Sequence, residues 1–204
     1  MAPRPRTQPR KKASQERAKA TVDAILDATA RILVKEGYDR ASTNRVALAA
    51  GVSVGSLYQY FPSKEALVAA LVERHLDETR AVVFEAFPRL HDASIEVAAR
   101  EMVRTMVAMH AVNPRLHKVL VEQVPRVGRL ERIDALQREA IDLTRAYLSR
   151  HAVDLRVGDL DLASFIVVTT VEALTHFAVL SRPDLLTDAF VDHVTDVVVR
   201  YLRP

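Results

Sequence analysis

Between residues 42 and 64 the chain concentrates side chains suited to gripping a polyanion and reading hydrogen-bonding edges: Ser42, Thr43, Arg45, Ser53, Ser56, Tyr58, Gln59, Tyr60 and Lys64. Hydroxyls and an amide can address base edges, while Arg and Lys can hold phosphates. Val54 offers an apolar contact to a thymine methyl, and Gly55, lacking a side chain, lets the backbone approach closely. Spacing decides whether this chemistry is available. Ala47, Gly51 and Leu57 stand where two short helices joined by a tight turn need a small residue, a positive φ and an apolar plug. Val46, Ala50, Val52 and Tyr60 fill the other inward positions. The segment reads as a helix-turn-helix, whose second helix enters the major groove while the first crosses the backbone.

The elements that position this motif follow from apolar periodicity. Val22, Ile25, Leu26, Thr29, Ile32 and Leu33 recur at helical steps, and Gly37 stands where a helix ends. Ser42 caps a second helix that ends at Ala50, and a third runs from about Ser53 to Tyr60. Ser63 caps a long fourth helix, 63–87, which Pro88 should stop. Farther on, Ile95, Ala98, Ala99, Met102, Met106 and Met109 form an apolar stripe. Asn113-Pro114 breaks that stripe and opens a new helix, and another spans Leu130 to about His151. After Gly158 the chain is apolar almost all round, so that helix should be buried on more than one side. A last helix covers about Thr187 to Leu202. The fold class is therefore all-α: an N-terminal three-helix helix-turn-helix domain suited to DNA binding plus a larger helical domain. The expected division is a basic flexible arm at 1–19, the helix-turn-helix domain at 20–66 and the larger helical domain at 67–204, with helix 63–87 as the link.

Composition fits this outline. Half of the 204 residues are apolar (49%), and five Gly and nine Pro are too few for a turn-rich β fold. There is no Cys, hence neither disulfides nor thiolate metal sites. No window approaches about 18 consecutive apolar residues, and the basic N-terminus lacks the apolar stretch of a secretory signal. The expectation is a cytoplasmic, nucleoid-associated protein without a membrane partner. Net charge is +3, but residues 1–20 alone carry +6, which leaves the remainder slightly acidic. Such an arm suits phosphate contact or an adjacent minor groove. Residues 21–75 balance six basic against six acidic side chains, so affinity would rest on placed contacts and the arm.

The run Ala49-Ala50-Gly51-Val52-Ser53-Val54-Gly55-Ser56-Leu57-Tyr58-Gln59-Tyr60-Phe61-Pro62-Ser63-Lys64-Glu65-Ala66-Leu67 resembles the signature of the tetracycline-repressor (TetR) family, as does Glu36-Gly37-Tyr38 before it. The close resemblance covers about residues 20–75; beyond them only the helical architecture matches. It implies a homodimeric regulator of a palindromic double-stranded operator, most simply a repressor released by a small-molecule effector. The resemblance makes 67–204 the regulatory, ligand-binding and dimerisation domain. It also implies that Tyr58 donates to phosphate, that Tyr60 lies at the backbone or a base edge, and that Lys64 contacts phosphate. Ser42, Thr43 and Arg45 would form a second phosphate clamp.

The effector pocket is expected among Met102, Met106, Met109, His110, Phe165, Glu172, His176 and Phe177. Thioethers adapt to irregular ligands, although Met at helical spacing also serves as ordinary core. Glu172 and His176, four apart on one helix face, suggest a local Glu–His pair, the alternative being a polar anchor for the effector. The dimer interface is expected at Val167, Val171, Phe190, Val194, Val197 and Val198. No cofactor is implied and no metal site is expected: the seven His are scattered, and Asn113-Pro114 separates His110 from His117. A Gly-rich phosphate loop, a Gly-x-Ser-x-Gly elbow and zinc-ligand spacing are all missing, which argues against an enzyme. A sequence-indifferent architectural DNA binder and a ligand-insensitive or activating family member are the alternatives.

Overall fold

A computed structural model of the chain describes residues 10–127 and 130–203, and among these the regular structure is entirely helical. It separates into two compact units, residues 1–71 and 72–204.

In the first unit, α1 (Arg10–Glu36), α2 (Thr43–Ala50), α3 (Val54–Tyr60) and the opening turns of α4 (Lys64–Leu90) share one apolar core. Ile25, Leu26, Ala28, Ile32 and Leu33 of α1 are buried with Val46 and Ala47 of α2, Leu57 of α3, and Leu67, Val68 and Leu71 of α4. The periodicity that begins at Val22 is therefore the inner face of α1. The helix itself starts earlier than that periodicity, because residues 10–19 continue it as polar, N-terminal turns. The remainder of the basic arm, 1–9, lies outside the described residues. Gly37 ends α1 at φ 79°, its N–H donating to the Leu33 carbonyl at 3.0 Å. That left-handed conformation would strain any residue bearing a Cβ.

In the second unit, α4 continues to Leu90 and is followed by α5 (Ile95–Ala111), α6 (Pro114–Val127), α7 (Leu130–Arg150), α8 (Leu160–Ser181) and α9 (Asp188–Leu202). Pro88 does not end α4 as its type suggests. It lies inside the last turn, and the chain leaves the helix at Leu90, whose carbonyl accepts from Ala93 N–H at 3.1 Å. The cost is one N–H at the helix end, where the ladder is about to stop in any case. Asn113 does cap α6, its Oδ1 accepting from Leu116 N–H at 3.1 Å, with Pro114 at the first helical position.

Val103 of α5, Leu148 of α7, Ala163 and Val171 of α8, and Val191, Val194, Val198 and Leu202 of α9 form the core of this unit. Arg132 of α7 bridges Glu73 and Asp77 of α4, each at 2.9 Å, and Arg80 of α4 holds Glu139 of α7 through two bonds of 2.6 and 2.9 Å. Contrary to the sequence expectation, α8 is long and apolar enough to cross a membrane by length and composition alone. Here it is a bundle helix, with Ala163, Ser164, Val171, Thr175, Ala178 and Val179 buried.

Candidate nucleic-acid interface and effector cavity

The turn between α2 and α3 is built as its residue types require. Gly51 adopts φ 69°, and Val52 N–H reaches back to the Ala47 carbonyl at 3.0 Å. Ser42 and Ser53 cap the two helices, accepting from Arg45 N–H at 3.4 Å and Ser56 N–H at 3.0 Å. Leu57 is fully buried and fixes the crossing of α3, so its truncation to Ala would cost about 2–5 kcal/mol.

The opposite face of α3 is open. Val54, Gly55, Tyr58, Gln59 and Tyr60 are exposed, while Ser56 is half-buried, its hydroxyl 2.8 Å from that of Ser53. Tyr60 departs from the inward position that the packing pattern gave it: 38% of its surface is exposed, because Leu57 and Phe61 already fill the space beneath α3. Tyr58 and Thr43 share a hydroxyl–hydroxyl hydrogen bond of 3.1 Å between α3 and α2.

The basic groups are held by neighbours. Arg45 Nη2 donates to Glu36 Oε1 at 2.7 Å, with about half of the arginine side chain still exposed. Lys64 Nζ donates to the Tyr38 carbonyl at 3.0 Å and lies 4.2 Å from the centre of the Tyr38 ring. Ser63 caps α4 through Ala66 N–H at 3.2 Å. This unit therefore carries a compact polar surface, positioned by caps and ion pairs, on the helix that a helix-turn-helix inserts into DNA.

The second unit contains a partly open cavity of about 220 Å³. Its walls are mostly aliphatic, from Val72, Leu76 and Val83 of α4 through Ile133 and Leu136 of α7 to Val167, Val168 and Val171 of α8. Met102, Met106, Met109, His110, Glu172 and His176 line it as the sequence suggests. Phe165 and Phe177 do not. They stand 50% and 66% exposed on the outer side of α8, near Leu162 and Leu174. The residues expected at a dimer interface lie mostly inside the protomer. Val171, Val194 and Val198 are buried, Val167 and Phe190 pack against the same core, and only Val197, at 52%, is exposed among the six. On α8 the cause is that a helix apolar on every side does not tell which side faces inward. By contrast, α9 sets Asp188, Asp192, Asp196 and Arg200 on one face and buries Val191, Val194 and Val198 on another.

Glu172 and His176 do not pair as expected. Glu172 accepts from Gln137 Nε2 at 3.1 Å, and burial pushes its carboxyl above the usual range. His176 Nδ1 is instead 3.3 Å from His117 Nε2. His75, which the sequence reading did not single out, places its Nε2 3.0 Å from His117 Nδ1. His110, on α5, brings its ring centre to 4.5 Å from that of His117, so the Asn113-Pro114 break folds the two together rather than apart. His110 Nδ1–H donates to the Met106 carbonyl at 2.7 Å. Burial lowers the affinity of all four imidazoles for a proton, and that of His117 falls to about 3 with its three neighbours adding to the effect.

The comparisons with known proteins agree with this geometry. Residues 25–71 match the family model described as bacterial regulatory proteins, tetR family. Residues 94–202, more than half of the chain, match that of the tetracyclin repressor-like C-terminal domain. The chain belongs to the TetR family of DNA-binding transcriptional regulators. Like the family, it is not an enzyme. Among TetR-family folds, a transcriptional regulator from Mesorhizobium loti covers 92% of this chain and 99% of its own at TM-score 0.73 and 18% identity. NalD of Pseudomonas aeruginosa, the secondary repressor of the MexAB-OprM multidrug efflux pump, covers 92% and 98% at TM-score 0.71 and 21% identity. At those identities the likeness is one of fold. By sequence, the nucleoid occlusion factor SlmA of Haemophilus ducreyi is 32% identical over 115 residues, 56% of each chain. The chain thus spans about half the length of the curated relatives it matches.

Proposed function

We propose that this TetR-family protein is a homodimeric repressor that binds a palindromic operator in the cytoplasm and leaves it when a small apolar molecule occupies the second unit. The observation that carries the ligand is the cavity of about 220 Å³, aliphatic on most walls and polar at Gln137, Glu172 and the histidines. An apolar enclosure with a few convergent polar groups is the usual form of a small-molecule site.

The DNA contacts proposed are Val54, Gly55, Ser56, Tyr58, Gln59 and Tyr60 on α3, with Ser42, Thr43, Arg45, Ser53 and Lys64 at the flanking helix ends. Dimerisation is assigned to the outer side of α8 and α9, where Leu162, Phe165, Leu174, Phe177 and Val197 leave large apolar surfaces exposed. A second copy covering them would bury that surface and pair two reading heads for the two half-sites of a palindrome. α4 is continuous from Lys64 to Leu90, and both Val83 and Leu90 line the cavity. A ligand that favours one setting of α4 would release DNA to the extent that it binds that setting more tightly.

Selection of sites from a random duplex library, with wild type and Tyr58→Ala, tests the reading. An inverted repeat enriched by the wild type and lost in the variant is expected. Apolar compounds can then be screened for release of that duplex by anisotropy. An unpaired motif, or enrichment indifferent to Tyr58, would overturn the dimeric repressor.

A further inference from the structure

Four of the seven histidines, from four different helices, meet at one end of the cavity: His75 of α4, His110 of α5, His117 of α6 and His176 of α8. Such convergence is costly unless the imidazoles have a use, because each carries polar nitrogens into a mostly aliphatic enclosure. His110 and His117 are only 5% and 7% exposed. One donor nitrogen from each of His110, His117 and His176 lies within 4.8 Å of the other two. Around a tetrahedral ion with metal–nitrogen bonds of about 2.0–2.1 Å, such nitrogens stand roughly 3.3 Å apart. His117 Nε2 and His176 Nδ1 are already at 3.3 Å, and His110 needs only a side-chain adjustment to join them.

We propose that His110, His117 and His176 bind a divalent transition-metal ion, with His75 as a positioning residue. The hydrogen bonds favour this division of roles. His110 gives its Nδ1–H to the Met106 carbonyl, which leaves the lone pair on Nε2. If His117 coordinates through Nε2, its Nδ1–H donates to His75 Nε2, 3.0 Å away, and the ring is held in the ligating tautomer. His176 presents Nδ1 after moving its proton to Nε2, a change of tautomer without net charge. Three neutral nitrogens suit zinc-class ions better than magnesium or calcium, which prefer oxygen. They leave a fourth position; Glu172 lines the same cavity, where its carboxylate accepts from Gln137. A three-histidine centre with one position left over can accept water or a polar group of a second ligand. The site shares the cavity given above to the effector but rests on the imidazole geometry alone, so a failed metal titration leaves release from DNA to be measured separately.

The test uses the tag-free, chelator-treated full chain. Titration with Co2+ is expected to give the intense visible bands of a four-coordinate nitrogen site at one ion per chain. Calorimetry with Zn2+ is expected to show at least 100-fold weaker binding in His110→Gln and His176→Gln. His75→Gln should weaken binding about 10–100-fold while keeping the cobalt bands, as expected of an outer partner. His193→Gln, an exposed control, should bind as the wild type does. Wild-type protein that gives only the faint spectrum of hydrated Co2+ would overturn the proposal, as would Zn2+ affinity unchanged in both ligand variants. The cobalt spectrum needs no variant, so misfolding of a substituted chain leaves the question decidable.

Discussion

The hydroxyls of Tyr58 and Thr43 lie 3.1 Å apart, which ties the exposed side of α3 to the first turn of α2. The bond restrains a ring that is half exposed. On the proposed interface, one phosphate oxygen would meet both hydroxyls with little further ordering to be done. Tyr58→Phe should therefore weaken operator binding about 10-fold, the scale of one hydrogen bond to a charged acceptor. Thr43→Val should weaken it less, and the melting temperature of either variant should stay close to that of the wild type. Anisotropy at one fixed salt concentration reads the first effect. Wild-type affinity in Tyr58→Phe would remove the hydroxyl from the interface.

Lys64 has a structural role and a proposed DNA-binding one, and one variant separates them. Its ammonium donates to the Tyr38 carbonyl and lies over the Tyr38 ring, which joins the start of α4 to the end of α1. Lys64→Met keeps the aliphatic stem and should cost about 1 kcal/mol of stability in urea unfolding. If the same ammonium also meets a phosphate, the slope of log K against log salt should fall by up to about 0.9 per protomer. A stability loss with an unaltered slope would leave Lys64 as a structural clasp alone.

The outer side of α8 gives the sharpest prediction about assembly. Phe177→Glu and Phe165→Asp place charges on exposed positions, so each protomer should stay folded while the dimer dissociates and operator affinity collapses. Val198→Asp places the charge in the core of the second unit and should unfold it instead. Sedimentation equilibrium with circular dichroism distinguishes these outcomes. A stable dimer in both phenylalanine variants would put the interface elsewhere.

What could be read from the sequence, and what could not, follows the range of the interactions involved. The reading head is governed by local rules: Ser42 and Ser53 cap, Gly51 turns and Leu57 plugs, each within a few residues of its partners. Those types at that spacing admit few other structures. α8 is different, because nothing local separates Val167 and Val171, which face inward, from Phe165 and Phe177, which face out. Only packing against α5, α7 and α9 selects the face. The histidines were hidden for the same reason, since His75 and His117 are 42 residues apart and meet only when α4 and α6 pack. Pro88 was over-read, because its cost falls in the interior of a helix far more than in its last turn.

The buried histidines should make stability fall on mild acidification. An unfolded chain protonates His117 near the ordinary value of 6.5, whereas the folded protein resists until about 3, chiefly through burial. Between those values the unfolded state holds more protons, so stability rises with pH across that window and is lost as pH falls. His75, His110 and His176 are shifted in the same direction and add to the loss. Glu172 acts with the opposite sign. Its raised carboxyl keeps a proton longer in the folded state, a contribution present at low pH and lost as pH rises through its folded value. Replacing one imidazole isolates its share. From pH 7.0 to 5.5, His117→Gln should lose roughly 1 kcal/mol less stability than the wild type, since one such group contributes at most about 1.4 kcal/mol per pH unit. Urea unfolding of the chelator-treated, metal-free chain at the two pH values measures the difference. Equal losses in the two proteins would mean that His117 takes up its proton in the folded state as readily as in the unfolded chain, so that burial does not hold it neutral.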